Sequence, residues 1–128
     1  MNLYTYDRFT PGQTLGTWEE TLDAGLLDKW KRLFGSRDAP ASQAGLAVAL
    51  MMRAYLRVVA PRPPGNIHAR QRLVLHGLPR LDERVRSCVY CLDKEIRRER
   101  RYLQLEVSGR GAGQRPLYTG QMQLIWAA

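Results

Sequence analysis

The chain is poor in the residues that carry most side-chain chemistry, with two cysteines and two histidines among 128 residues. Two thiols, Cys88 and Cys91, are too few to staple a secreted scaffold, which excludes the small disulfide-rich classes. They fit a reducing compartment, and no secretory leader precedes Tyr4, so a cytoplasmic location is expected. A long apolar run is also missing. The most apolar stretch, Ala44 to Ala60, is interrupted by Arg53 and Arg57 and is short for a bilayer. It reads as a buried helix, and no membrane partner is expected. Acids are scarce as well, with 12 Asp and Glu against 20 Lys and Arg. Between Asp28 and Asp82 the one carboxylate is Asp38, so carboxylate chemistry near the central apolar segment is expected to use it.

The resulting charge of +8 favours an anionic partner, be it a phosphorylated cofactor, a membrane surface or nucleic acid. Tyr90, Tyr102 and Tyr118 lie near cationic strands, as a basic nucleic-acid-binding module would need. The cations are spread over the whole second half, however, and no base-reading motif is present, which makes nucleic acid the lesser reading.

Hydropathy patterning orders the elements. "TLGTWEETL" (Thr14 to Leu22) suits a first strand. Asp23 then caps a helix with Leu26, Leu27, Trp30, Leu33 and Phe34 at helical spacing, closing at Gly35. A second helix is expected from Ser42, as N-cap, to Val59, with Pro61 as terminator. It is apolar on nearly all sides and must be wrapped rather than docked on one face. After the stiff "APRPPGN" connector come four strand candidates: Ile67 to Gly77, Arg84 to Lys94, Tyr102 to Ser108 and Leu117 to Trp126. "KEIRRERR" (Lys94 to Arg101) and "GRGAG" (Gly109 to Gly113) read as hairpin connections. With no repeat and no internal boundary, residues 1–128 are expected to form a single α+β domain, an antiparallel sheet curled around a long central helix.

That arrangement is the hotdog fold. From about Phe9 to Ala127 the chain resembles the MaoC-like dehydratases, which include the (R)-specific enoyl-CoA hydratases. The resemblance is carried by "FTPGQTLG", "KWKRLFGSRDAP", "AGLAVALMM" and "LVLHGLPRLDERVRSCVYCLDKEIR". It implies an acyl thioester of coenzyme A or of acyl carrier protein as ligand, with no other cofactor. It further implies a homodimer with pockets between the chains, or alternatively a heteromer with a related hotdog subunit.

Hydration of an enoyl thioester needs a base for water, an acid for the α-carbon and donors for the thioester oxygen. In the family the first two come from a motif resembling G-D-x-N-P-x-H. Here Ser36 follows Gly35 where the acid is expected. Taking Asp38 as the acid puts Gln43 at the histidine position, and keeping the register of Ser36 puts Ala41 there. Neither supplies an imidazole, so the resemblance implies a degenerate motif with Asp38 as the surviving catalytic candidate. Gln43, Ala44 and Gly45, at the start of the central helix, are the expected thioester-binding residues, because free N–H groups and the helix dipole favour a carbonyl oxygen there.

Arg97 and Arg98, in the densest cationic run, are candidate clamps for coenzyme A phosphates, which guanidinium forks suit. His68 and His76 share parity on one strand, so both should face one side, about 26 Å apart and unable to form one site. "CVYC" matches C-x-x-C, but residues three apart on a strand face opposite ways, so no metal or redox pair is expected.

Overall fold

A computed structural model describes residues 2–34 and 40–128. Asp38, Ser36 and Gly35 therefore lie outside the described residues. Strand β1 (Thr14–Thr21) leads into helix α1 (Ala24–Phe34) and the long helix α2 (Pro40–Val58). Four strands follow: β2 (Ile67–Leu75), β3 (Arg84–Arg97), β4 (Arg100–Arg110) and β5 (Pro116–Trp126).

Asp23 starts α1 as its residue type predicts, its side-chain oxygen accepting the Leu26 N–H at 2.8 Å. The expected start of α2 needs correction. Ser42 is not its N-cap: the helix begins two residues earlier at Pro40. Proline is at ease there because an N–H in the first turn has no helical partner to lose.

All neighbouring strands are antiparallel, in the order β1-β3-β4-β5-β2. β1 and β2, joined by the two helices, thus form opposite edges, and the helical segment carries the chain across one face of the sheet. Alternation makes that inner face apolar: Val85, Val89 and Cys91 from β3, Leu103, Leu105 and Val107 from β4, Met122, Leu124 and Trp126 from β5. Leu46, Leu50, Met51, Ala54 and Tyr55 of α2 press into it, all buried. This is the α+β hotdog arrangement. Gly120 lets the helix come close, since a Cβ there would stand 2.2 Å from the Met51 sulfur. The enclosure of α2 is incomplete within one chain: Leu56 is 42% exposed.

"KEIRRERR" is less of a loop than its charge suggests. β3 and β4 pair up to Arg97 and Arg100, leaving a two-residue turn at Arg98 (φ 52°) and Glu99 (φ 64°). Left-handed residues at both positions match the twist of the flanking strands. At the same end of the sheet as this turn, where Trp126 pairs with Arg101, the N-terminal segment is fastened to the last strand. Tyr4 O accepts the Trp126 Nε1–H at 2.6 Å, and Phe9 meets the Trp126 ring edge-on at 5.2 Å.

Candidate functional site

The predicted thioester-binding residues fall together, in the first two turns of α2. Gln43, Ala44 and Gly45 are all half-buried. Because the helix begins at Pro40, the N–H groups free of helical partners belong to its first turn, at Ala41 and Ser42. Helix spacing hands the Gly45 N–H to the Ala41 carbonyl. What Gly45 and Ala44 contribute is smallness, one turn inside the positive end of the dipole.

Arg97 and Arg98 are not brought to that place. Gly16 of β1 packs on Val58 of α2 and Glu20 pairs with Arg53, so β1 runs antiparallel to α2 and β3 parallel to it. Arg97, at the end of β3, is therefore at the C-terminal end of α2, and Gly45 is at its N-terminal end. The helix between Gly45 and Val58 spans about 20 Å. Arg97 is further engaged with Glu95 at 3.5 Å and lies over the Tyr102 ring at 4.6 Å.

A carboxylate that sequence reasoning missed does reach the central helix. Glu20 sits on β1 opposite Val85, and its Oε2 lies 3.0 Å from Arg53 Nε. The expectation that only Asp38 could serve there is thus wrong. The signal was present in the alternation of Gly16, Trp18 and Glu20, which turns all three toward α2. Burial pushes the Glu20 carboxyl up from its ordinary value, against the pull of Arg53 and Arg57. On the neighbouring inner row Tyr118 and Ser87 share a hydroxyl–hydroxyl hydrogen bond of 2.6 Å. Burial pushes the Tyr118 phenol up to about 12, so it stays protonated. Its ring packs against Gly109, where a Cβ would collide with it.

At the other end of α2 a cavity of about 290 Å³ opens between the helix and β2, lined among others by Met52, Tyr55, Arg62, Asn66, His68 and Leu124. Arg62 holds the end of the helix by donating to the carbonyls of Leu56 and Val59, both at 2.8 Å. The expectation that His68 and His76 face the same way fails. A register shift between His68 and Arg70 inserts one residue, which reverses the parity of the strand. His68 stands opposite buried Leu124 on the helix side, whereas His76 reaches Thr119 on the outer face, with Nε2 and Oγ1 2.9 Å apart.

Cys88 and Cys91 stand on opposite faces of β3, half-buried and buried respectively, as their spacing predicts. Among the described residues no three His, Cys, Asp or Glu side chains are grouped to hold a metal ion. No helix there is long and apolar enough to cross a membrane. Of the three tyrosines that favoured nucleic acid, Tyr118 is buried and Tyr102 is covered by Arg97, which removes a stacking platform.

No protein-family model matches the chain, and no curated protein matches it in sequence. Solved structures do match in shape. An R-hydratase from Pseudomonas aeruginosa, in its unliganded form, superposes with a TM-score of 0.73 at 16% identity, over 95% of this chain and 84% of that one. A MaoC-like dehydratase from Rhodospirillum rubrum gives 0.77 at 13% identity, over 94% of each chain. The ChsH1-ChsH2 complex from Mycobacterium tuberculosis gives 0.70 at 14% identity, over 94% of this chain and 100% of that one. The inner-face core, the central helix and these superpositions define a hotdog-fold protein.

Proposed function

We propose that this chain is an acyl-thioester-binding hotdog protein, one domain over residues 1–128, in which hydration is weak or absent. The observation that carries the reading is a sequence one, set in this fold. The segment leading into α2 offers Asp38 but no histidine in either register, while the N-terminal turns of α2 keep their small residues and dipole. The thioester carbonyl lies against the first turns of α2, with Gln43, Ala44 and Gly45 as the wall and Asp38 as the remaining acid. Losing one partner of an acid–base pair removes about 10²–10⁴-fold in rate, enough to leave a binding pocket with slow chemistry. The fold likeness to an R-hydratase and a MaoC-like dehydratase supports the ligand class.

A second chain completes the pocket. β2 is an edge strand with almost every residue exposed, including Ile67 at 54%, Val74 at 44% and Leu75 at 39%. Antiparallel pairing of two β2 strands would cover that edge and extend the sheet across two chains. It sets the N-terminal end of one α2 toward the C-terminal end of the other. Arg97 and Arg98 then serve the pocket of the partner, as clamps on coenzyme A phosphates. A homodimer is the simplest such assembly, and a related hotdog subunit is the alternative. Its place is the cytoplasm, where both thiols stay reduced.

The test is calorimetric titration with butyryl-CoA beside a hydration assay on crotonyl-CoA. Saturable binding with little or no hydration is expected, and Asp38→Asn should abolish residual turnover while leaving binding intact. Brisk hydration by the wild-type chain would overturn the loss of chemistry. Absence of acyl-CoA binding, with affinity for single-stranded DNA that falls steeply with salt, would replace the reading with the nucleic-acid one.

A further inference from the structure

The outer face of the sheet beside β2 carries a second feature that acyl binding does not use. A shallow cavity of about 270 Å³ is lined by Arg70, Gln71, Arg72, Gln104, Gln121 and Gln123: two cations, four carboxamides and no carboxylate. The cross-strand register explains the grouping. Arg70 stands opposite Gln123, itself opposite Gln104, and Arg72 stands opposite Gln121. Gln121 donates its amide N–H to Glu106 at 3.3 Å. Among the described residues the side chains of Arg70, Arg72, Gln104 and Gln123 have no hydrogen-bond or ion-pair partner. Other arginines near carboxylates are engaged: Arg53 with Glu20, Arg84 and Arg86 with Glu19, Arg115 with Glu83.

Charges on an edge strand commonly keep it from pairing. Here the same strand exposes Ile67, Val74 and Leu75, which such protection would have removed. Arginines and apolar residues together on one edge fit a strand that pairs only when its charge is answered. With a twofold axis through Gln71, the midpoint of β2, Arg70 of each chain falls opposite the partner's Arg72. Same-face neighbours along a strand are about 7 Å apart and paired strands about 5 Å, so four guanidinium groups crowd one small area. Like charges directly opposite disfavour pairing, and a bound oxyanion reverses that sign.

We propose that this face is an oxyanion site completed at the twofold axis, where Arg70 and Arg72 of two chains surround one phosphoryl group and Gln123, opposite Arg70, supplies a further N–H donor. The inference rests on the two-chain reading above. The phosphoryl group comes from free phosphate or from a phosphorylated small molecule, and either links anion binding to dimer formation.

Sedimentation equilibrium at constant ionic strength tests it, with chloride, inorganic phosphate, pyrophosphate or ADP as the varied anion. A fall of tenfold or more in the dimer dissociation constant is expected with phosphate over chloride. A larger fall with pyrophosphate or ADP identifies a phosphorylated small molecule as the source, and an equal one identifies free phosphate. The double variant R70A/R72A should lose the anion dependence while keeping its circular dichroism and its acyl-CoA affinity. A dimer indifferent to the anion, or equal dependence in the double variant, overturns the site alone. A monomer in every buffer overturns the homodimer reading together with the site.

Discussion

The two edges of the sheet are built to different ends. Along β1 the charges are answered within the chain: Glu19 faces Arg84 and Arg86, Glu20 pairs with Arg53, and the Arg57 guanidinium lies 5.2 Å over the Trp18 ring. Its far end is bolted to the loop before β3, with Leu22 N–H donating to the Glu83 carbonyl at 3.1 Å and Asp82 N–H to the Leu22 carbonyl at 2.7 Å. β2 likewise has one antiparallel partner, β5, and little else. Its arginines are unanswered, and Ile67, Val74 and Leu75 face solvent while only Leu73 packs on the core. An edge whose charges are met by its own chain has little left to offer a neighbour, whereas an uncovered apolar one is free to pair.

The comparison can be broken first at the element that both edges share. Leu50→Asp should yield no folded protein, because an unpaired charge cannot be accommodated in the buried core to which Leu50 belongs. Insoluble expression or a missing thermal transition is the expected readout, and an unchanged melting temperature would refute the burial of α2.

Next in size is the lock on the β1 side. The Glu83 carboxylate accepts the backbone N–H groups of Arg80 and Ala112, both at 2.8 Å, and the Arg115 guanidinium at 2.5 Å. Burial alone would raise its pKa, but these three partners outweigh it and hold the carboxyl below its ordinary value. A carboxyl so held contributes stability that is complete above its unfolded value, 4.5, and is lost as pH falls through the lowered folded value. Glu83→Ala should therefore cost about 3 kcal/mol at pH 7. Its difference from wild type should shrink as urea melts are repeated toward pH 3.

A smaller effect is expected where β1 meets α2. Gly16→Val places a side chain where even a Cβ would stand 3.0 Å from Val58 Cγ1, and should cost about 1–3 kcal/mol in chemical denaturation. The smallest effect on the chain itself belongs to β2. Ile67→Thr with Val74→Thr should change monomer stability by about 0.5 kcal/mol or less, while weakening self-association measured by sedimentation. Equal losses at β1 and β2 would erase the distinction between the edges.

Much of the fold was legible beforehand because its signals are local. Alternation of Leu103, Leu105 and Val107 set β4, the Asp23 cap started α1, and the even apolarity of Leu46 to Val58 called for a helix wrapped by a sheet. The site was legible only in part. Gln43 to Gly45 do open the central helix, but Pro40 starts it earlier than Ser42 would, moving the free N–H groups to Ala41 and Ser42. Arg97 and Arg98 looked like part of the same pocket because a linear sequence does not show at which end of a helix a strand finishes.

What the amino-acid sequence determined by itself was the set of strands and helices, the apolar face of β4, and the lack of an imidazole in either register of the Asp38 segment. All follow from side-chain type and a period of two or 3.6 residues, which neighbours along the chain suffice to express. Tertiary structure alone decided the order β1-β3-β4-β5-β2, which makes β1 and β2 the edges. It also decided that Glu20 meets Arg53 and that one inserted residue after His68 sends the two histidines to opposite faces. These depend on which strands pair and in what register, a choice made by burying one whole apolar face at once, and no local pattern encodes it.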